Sequence, residues 1–381
     1  MNEAEVKLPW PDWKIIKRAG RGGFAVVYEA ERISPGSTVE RSAIKIIQIP
    51  SSLQELNDIR YDSNYDTETT KAAIDKMVNA TTKEIAALER LKGHPNIVHI
   101  EDYAVEKELI PDESIYTYTV YIREELLNSL PDLMDETQVL RMGIHICTAL
   151  QALESIKTDD GKSIIHRDIS PSNILVSEVF GQNTYKLTDF GIVRETGFDT
   201  YITRDTGKSL YTPPEVQAYG IPTPTMDLYS LSLTMYVLLN KSYPFISKED
   251  MKCPSTVYAA NSKRLQGAEI PAPVCTNEQL AKIILKGIAF NPEDRYQSAS
   301  EMLEDLHKIH AQPTTIRAIM KFRIKTFFSS NMPYIVSLIV IVLIICFAVP
   351  SIRAFILECL SFLFNAIFAL LLLIILGMVF Q

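Results

Sequence analysis

The stretch that decides the fold is residues 166–173, HRDISPSN, which is followed at residues 189–191 by DFG. Asp168 and Asn173 lie on one predicted turn, which can present a carboxylate to an attacking hydroxyl and an amide oxygen to a cation. Asp189 can bind the same metal, because hard cations such as Mg²⁺ prefer oxygen ligands together with phosphate oxygens. The two motifs in this order are highly specific and predict a metal- and phosphate-binding site.

Two weaker signals precede this stretch. A glycine-rich turn, GRGGFAVV, occupies residues 20–27 between predicted strands. Glycines let backbone N–H groups approach phosphates closely, but Ala25 replaces the third glycine of GxGxxG, and the turn alone fits a plain hairpin better. Lys45 lies in an apolar strand, where a lysine needs a partner or a path to water. By itself it fits an edge-strand lysine that reaches solvent.

Taken together, residues 10–308 resemble a eukaryotic-like protein kinase domain of the bacterial type. The resemblance implies an α+β, bilobal protein-kinase fold. A small β-rich N-lobe with one helix would span residues 10–124, and a larger α-helical C-lobe would span residues 125–310. It also implies ATP and Mg²⁺ as cofactors and a protein as substrate.

The same resemblance assigns roles to residues of this chain. Asp168 would be the catalytic base, Lys45 would hold the α- and β-phosphates and pair with Glu84, and Asn173 and Asp189 would hold Mg²⁺. The residues implied in nucleotide binding are Gly20, Gly22, Gly23, Val27, Lys45, Glu125 and Leu127, the last two in the hinge that meets adenine. Glu215 and Asp227 match structural positions of the family, and Arg295 would pair with Glu215.

One departure from the family pattern affects catalysis. Serine/threonine kinases usually carry a lysine two residues after the catalytic aspartate, where this chain has Ser170. That lysine neutralises charge on the transferred phosphoryl group, so its loss should slow transfer unless another cation replaces it. Lys208, in GKSLYTPPE, is our candidate; the alternative is a solvated lysine on a mobile loop.

The activation segment, which in this family follows the DFG motif and ends at the position of Glu215, carries several hydroxyl groups that autophosphorylation could modify. A phosphate adds about −1.5 to −2 charges and pairs well with arginine, and Arg167 would form part of its pocket. We therefore expect modification of this loop, although loops are generally rich in hydroxyls. The candidate residues are Thr200, Tyr201, Thr203, Thr206 and Ser209.

Local patterns outline the elements. Strands are predicted within residues 13–49, 97–104 and 115–122, because β-branched runs alternate with polar turns. Residues 51–70 are polar without a periodic face and are predicted to be an inserted loop. A long helix is predicted over residues 71–91. The helices predicted for the C-lobe cover residues 136–157, 226–240, 277–290 and 298–310.

Composition limits the function. The 381 residues include 38 basic and 46 acidic side chains, a formal net charge of −8, which argues against nucleic acid as a partner. The five cysteines are scattered and form no CxxC pair, so neither a disulfide framework nor a zinc site is predicted, and a reducing compartment fits best.

The C-terminal region differs in character. A basic juxtamembrane linker, residues 311–331, precedes two hydrophobic segments at about 332–349 and 359–380. At a rise of about 1.5 Å per residue, each is long enough to cross a hydrocarbon core of about 30 Å. A transmembrane hairpin is our main interpretation. The alternatives are a helical hairpin buried in a soluble core, and one span followed by an interfacial or re-entrant helix.

The charge of the linker orients the expected anchor. Basic residues before the first span favour a cytoplasmic kinase domain at the cell membrane. The tail would contact the lipid bilayer and could promote self-association for trans-autophosphorylation.

The main functional prediction is an active serine/threonine kinase, with tyrosine a less favoured acceptor. The alternatives are a pseudokinase scaffold that binds nucleotide and partners, and a small-molecule kinase of similar fold.

Overall fold

The computed structural model describes most of residues 6–310. The residues within this range that are not described are 22–24, 35–37, 111–114, 132–133, 158–160, 162, 180, 191–207, 224 and 275. The predicted linker and both hydrophobic segments lie outside the described residues. In the described part, no helix combines the length and the apolar character needed to span a bilayer.

A five-stranded antiparallel sheet forms the first lobe, as the β-branched runs predict. Its strands lie in the spatial order β1-β2-β3-β5-β4. Tyr28 and Ile44 face one side of the sheet, where they pack with Trp13 in a small cluster. Because side chains alternate along a strand, Lys45 and Ile47 point to the other side, toward the second lobe. The strands are β1 (Lys14–Arg21), β2 (Ala25–Ser34), β3 (Thr38–Ile49), β4 (Ile100–Leu109) and β5 (Tyr116–Glu125).

Two helices connect β3 to β4. The long helix predicted from periodicity is present as α2 (Thr67–Glu89), which begins four residues earlier than expected. The prediction of a loop over residues 51–70 is wrong, because α1 (Leu53–Asp62) forms there. Ser52 caps its N-terminus by accepting a hydrogen bond from the Glu55 N–H at 3.1 Å. Helix α1 buries only Leu56 and Ile59, too few for a periodic apolar face to stand out in the sequence.

The second lobe is mainly helical and is organised around α5, whose residues are buried on nearly every side. A helix that is apolar all round must be enclosed by other elements, and α5 packs against α3 and α7. The four helices predicted for this lobe are confirmed within a few residues. Its helices are α3 (Glu136–Ser155), α4 (Pro214–Tyr219), α5 (Thr225–Asn240), α6 (Pro254–Leu265), α7 (Glu278–Gly287) and α8 (Ala299–His310).

A small sheet in the second lobe positions the decisive motifs. It contains β6 (Asn128–Ser129), β7 (Ile174–Val179) and β8 (Gln182–Leu187), in that order. The HRDISPSN stretch leads into β7, and β8 ends two residues before Asp189. The β7–β8 hairpin therefore brings the two motifs side by side. Sequence analysis missed this hairpin, although Gly181, with φ of 73°, marks its turn.

Candidate active site

The turn after the HRD motif is built by its own polar groups. Residues Pro171–Asn173 form a single 3₁₀ turn. The Asn173 side-chain amide donates to the carbonyl of Asp168 at 2.6 Å, and the Asn173 N–H donates to the Ser170 carbonyl at 3.0 Å. These bonds fix Asn173 relative to Asp168. Its Oδ1, 3.5 Å from the Ser172 hydroxyl, is the atom predicted to serve as a cation ligand.

Asp227 on α5 stabilises the backbone immediately before Asp168. Its carboxylate accepts the backbone N–H groups of His166 at 2.7 Å and Arg167 at 2.8 Å. Arg167 has φ of 69°, a conformation that costs free energy in a residue other than glycine and persists only when its surroundings enforce it. Burial raises the pKa of Asp227 to about 7, while the two N–H donors favour its charged form. The predicted structural role of Asp227 is confirmed.

His166 connects the two motifs. Its Nε2 lies 2.9 Å from the carbonyl of Thr188, and its Nδ1 accepts the Asp168 N–H at 3.3 Å. Its ring contacts Phe190 at a centroid distance of 4.9 Å. Burial lowers the pKa of His166 to about 4, so the imidazole is neutral at pH 7. The histidine therefore acts as a structural link rather than a proton carrier.

The structure joins the predicted phosphate-binding lysine to the predicted metal ligand. Lys45 Nζ lies 2.6 Å from Asp189 Oδ1, and the lysine side chain is only 8% exposed whereas the aspartate is 35% exposed. Asp189 has φ of 58°, which turns the chain sharply after β8. An ammonium group and a carboxylate thus face each other beside Asn173, at the junction of the two lobes.

The nucleotide-binding predictions are covered in part by the structure. Gly20 and Lys45 lie on either side of Val27 in the sheet, because Val27 of β2 pairs with Gly20 of β1 and with Lys45 of β3. Leu127 is half-buried between β5 and β6. Gly22 and Gly23 lie outside the described residues. Adenine binding by the hinge stays a prediction.

Two other predicted site residues have side chains outside the described part of the structure. These are Glu84, on α2, and Lys208, whose backbone begins the 3₁₀ turn Lys208–Tyr211. Their predicted roles stay predictions. Ser170 is buried, and its hydroxyl lies 2.9 Å from that of Ser172. The position where the family usually has a lysine is thus occupied by a neutral pair of hydroxyl groups.

The end of the activation segment is attached to the C-lobe by a bidentate ion pair. Arg295 donates to the two carboxylate oxygens of Glu215 at 2.7 and 2.9 Å. The predicted pairing of these residues is confirmed. It fixes the N-terminus of α4, which follows the activation segment in the chain.

Comparison with known proteins agrees with this geometry. The sequence profile described as the protein kinase domain matches residues 13–307, well over half of the chain. The chain belongs to the protein kinase family. The β-rich N-lobe and helical C-lobe expected from the motifs are those of this family's domain.

Several curated bacterial proteins are similar to the kinase domain. A probable serine/threonine-protein kinase of Clostridium perfringens is 30% identical over 79% of this chain and 38% of its own length. Serine/threonine-protein kinase PrkC of Bacillus subtilis is 29% identical over 77% of this chain and 40% of its own length. For serine/threonine-protein kinase PknK of Mycobacterium bovis the values are 28%, 77% and 23%. The chain thus spans less than half the length of these relatives.

Sequence reasoning missed one feature of the hinge. The assignment of Glu125 to the adenine site stays a prediction, and the structure shows side-chain partners that the sequence did not indicate. Glu125 Oε1 accepts the His99 N–H at 2.8 Å and Lys186 Nζ at 2.6 Å. No local pattern indicates these contacts, because Lys186 lies 61 residues further along the chain.

Proposed function

We propose that this protein is a serine/threonine kinase that transfers the γ-phosphoryl group of MgATP to protein hydroxyls. The observation that carries the proposal is the convergence of Lys45 and Asp189, 2.6 Å apart, beside a turn that orders Asp168 and Asn173. The names of the bacterial relatives support Ser and Thr as acceptors.

The residues at this site fit Mg²⁺ and a nucleotide. Asp189 and Asn173 offer a carboxylate and an amide oxygen, the donors that hard cations prefer. Magnesium, when bound, would neutralise charge on the phosphate oxygens. Lys45 offers an ammonium group for phosphate oxygens and would exchange part of its contact with Asp189 for them.

The chain's own residues then carry the chemistry. Asp168 would accept the proton of the attacking hydroxyl and orient its oxygen toward the phosphorus atom. Because Asp227 holds the backbone of the two preceding residues and Asn173 bonds the Asp168 carbonyl, this orientation is established before substrate arrives. Lys45 stabilises negative charge on the phosphates in a nearly buried position, where electrostatic interactions are stronger than in water.

The test of this proposal is phosphoryl transfer by the full-length protein reconstituted in lipid. The parent and the Asp168→Asn variant are incubated with MgATP, and modified residues are identified by mass spectrometry. We expect phosphoserine or phosphothreonine with the parent and at least a hundredfold less with the variant, since general acid–base groups contribute about 10²–10⁴-fold. Nucleotide binding without transfer by the parent would instead support the pseudokinase alternative.

We further propose that Lys208 supplies the charge that Ser170 lacks. The neutral pair of Ser170 and Ser172 hydroxyls supports this, because it puts no cation at the usual position. Lys208→Ala should lower the transfer rate with little effect on nucleotide affinity. Unchanged transfer in a steady-state assay would refute this role.

The activation segment is a proposed site of modification. We propose autophosphorylation of the segment that contains Thr200 to Ser209, with Arg167 as part of the pocket for the phosphate. Mass spectrometry that finds this segment unmodified in active protein would refute it.

We also propose that the hydrophobic segments anchor the protein in the cell membrane with its catalytic domain in the cytoplasm. Flotation with liposomes by the full chain, and its loss on deletion of residues 332–381, is the expected result.

Self-association through the tail is a separate proposal. Confinement to a membrane raises the effective concentration of one copy near another, which would favour trans-autophosphorylation. The full chain on liposomes should autophosphorylate faster than a tail-deleted chain at the same bulk concentration. Equal rates would contradict it.

A further inference from the structure

Two adjacent carboxylates at the end of β5, Glu124 and Glu125, are not used by the proposed chemistry. Glu125 bridges two parts of the molecule, because one of its oxygens accepts both the His99 N–H and Lys186 Nζ. The ion pair with Lys186 is largely shielded, with side-chain exposures of 16% for the lysine and 24% for the glutamate. It therefore joins the hinge end of the N-lobe sheet to β8 of the C-lobe.

Glu124 makes a second connection to the same segment. It lies opposite Ala43 in the register of β3 and β5, on the face of the sheet that also carries Lys45. Its carboxyl group faces the side chain of Thr188, which is 6% exposed. Consecutive residues of the hinge end thus contact Lys186 and face Thr188, two of the residues that directly precede Asp189.

The backbone of this segment is held from its other side by the C-lobe and the loop before β4. The Leu187 N–H donates to the Asn96 carbonyl and its carbonyl accepts the Val98 N–H, both at 2.9 Å. The Thr188 N–H donates to the Asn173 carbonyl at 3.0 Å. The side-chain contacts from Glu124 and Glu125 add a direct connection between the hinge and the strand that leads to the metal ligand.

We propose that Glu124 and Glu125 are positioning residues that hold the Lys186–Thr188 segment, and thereby Asp189, in register with the nucleotide-binding hinge. The inference rests on the proposed function, since it assumes that the base binds at the hinge and that the metal binds Asp189. A nucleotide with its metal contacts both places at once. Its affinity therefore depends on their separation, whereas a nucleotide without metal depends mainly on the hinge.

The experiment compares binding with and without metal, and needs no phosphoryl transfer. The probe is the non-hydrolysable ATP analogue with a β,γ-imido bridge, titrated calorimetrically into full-length protein with Mg²⁺ or with EDTA. We expect Lys186→Met to weaken the Mg²⁺-dependent affinity about tenfold, the scale of a coupling between two sites, and the affinity in EDTA less than about twofold. Lys186→Arg, which keeps the charge, should restore most of the loss. Thr188→Val should act in the same direction as Lys186→Met.

The matched control is Lys286→Met, which removes another lysine–glutamate pair with the same 2.6 Å separation, between α7 and α8. Its two affinities should equal those of the parent. Equal losses with Mg²⁺ and EDTA for Lys186→Met, or a loss explained by a lower melting temperature, would show a merely structural role and overturn the proposal. Tighter binding would show a restraint that opposes nucleotide binding, and would also overturn it.

The design separates this inference from the proposed function. A parent that binds the analogue with Mg²⁺ but transfers no phosphoryl group contradicts the proposed kinase activity and leaves the positioning role open to confirmation by the variants. A parent that binds no analogue under either condition contradicts both.

Discussion

Replacing Arg295 by methionine should strongly destabilise the C-lobe. The arginine is 2% exposed and makes two hydrogen bonds to Glu215. It also donates to the carbonyls of Ala289 and Phe290, each at 2.7 Å, and its guanidinium lies 4.6 Å from the ring centroid of Tyr229. Methionine keeps most of the apolar stem but leaves the carboxylate and both carbonyls without these donors.

The magnitude follows from burial. Removing one partner of a buried ion pair costs about 3–5 kcal/mol, because the remaining charge stays uncompensated. The Glu215 side chain keeps 18% exposure, so water compensates part of the loss and the lower end, about 3 kcal/mol, is expected. Adding Glu215→Gln to Arg295→Met should recover part of this cost, since no charge is then left unpaired.

The assay is urea unfolding followed by circular dichroism at the helical band, because both tryptophans of the chain, Trp10 and Trp13, precede the C-lobe and would not report on it. Lys282→Met is the control, since its ion pair with Glu278 has side-chain exposures of 73% and 82%. Such exposed pairs contribute about 0–1 kcal/mol. A loss for Arg295→Met no larger than that of the control would refute the reasoning.

Four further substitutions have predictable outcomes. Gly287→Ala should destabilise the C-lobe by about 2 kcal/mol or more, because the added Cβ would lie 1.9 Å from Ser232 Oγ. Gly143→Ala should cost less, because the atoms within 3.0 Å of its added Cβ belong to a flexible methionine side chain. Urea unfolding of both variants checks this. Burial raises the pKa of Glu124 to about 7, so the folded state holds this proton more tightly than the unfolded state and stability should fall as pH rises from about 4.5 to 7. Glu124→Gln should remove this pH dependence. After allowance for the partial exposure of the carboxyl group, the dependence amounts to about 2 kcal/mol in the free energy of unfolding. Unfolding at pH 5 and pH 8 without nucleotide would measure it. Asp227→Asn should lower the rate of phosphoryl transfer, because one amide oxygen cannot replace the charged carboxylate that accepts two backbone N–H groups. A transfer rate within about twofold of the parent would contradict this.

The sequence was sufficient wherever the deciding interactions are local. The turn that contains Asp168 and Asn173 is closed by hydrogen bonds within eight residues, so its motif predicts its geometry. Helix α2 follows from its 3.6-residue periodicity, because one face must be buried. Helices α3, α7 and α8 also lie within a few residues of their predicted ranges, as does α5, which is apolar nearly all round rather than on one face.

Local patterns failed where few side chains are buried. Helix α1 has the polar composition of a loop, and its stability comes from an N-cap and two buried residues. Helix α6 was missed because it buries only Ala260 and Arg264. The arginine is accommodated there by the Thr212 carbonyl at 2.9 Å and the Tyr229 hydroxyl at 2.8 Å. No sequence pattern near Arg264 indicates those partners.

By itself, then, the sequence determined the family, the motifs that carry Asp168, Asn173 and Asp189, and the order of the two lobes, because those features depend on short motifs and on the periodicity of single elements. The tertiary structure alone decided two of the charge contacts near the site. Lys45 reaches Asp189 across 144 residues, and Glu125 contacts Lys186 across 61. Such pairs form because folding removes both partners from water, and a buried charge is tolerated only where the packing of distant elements brings it a partner.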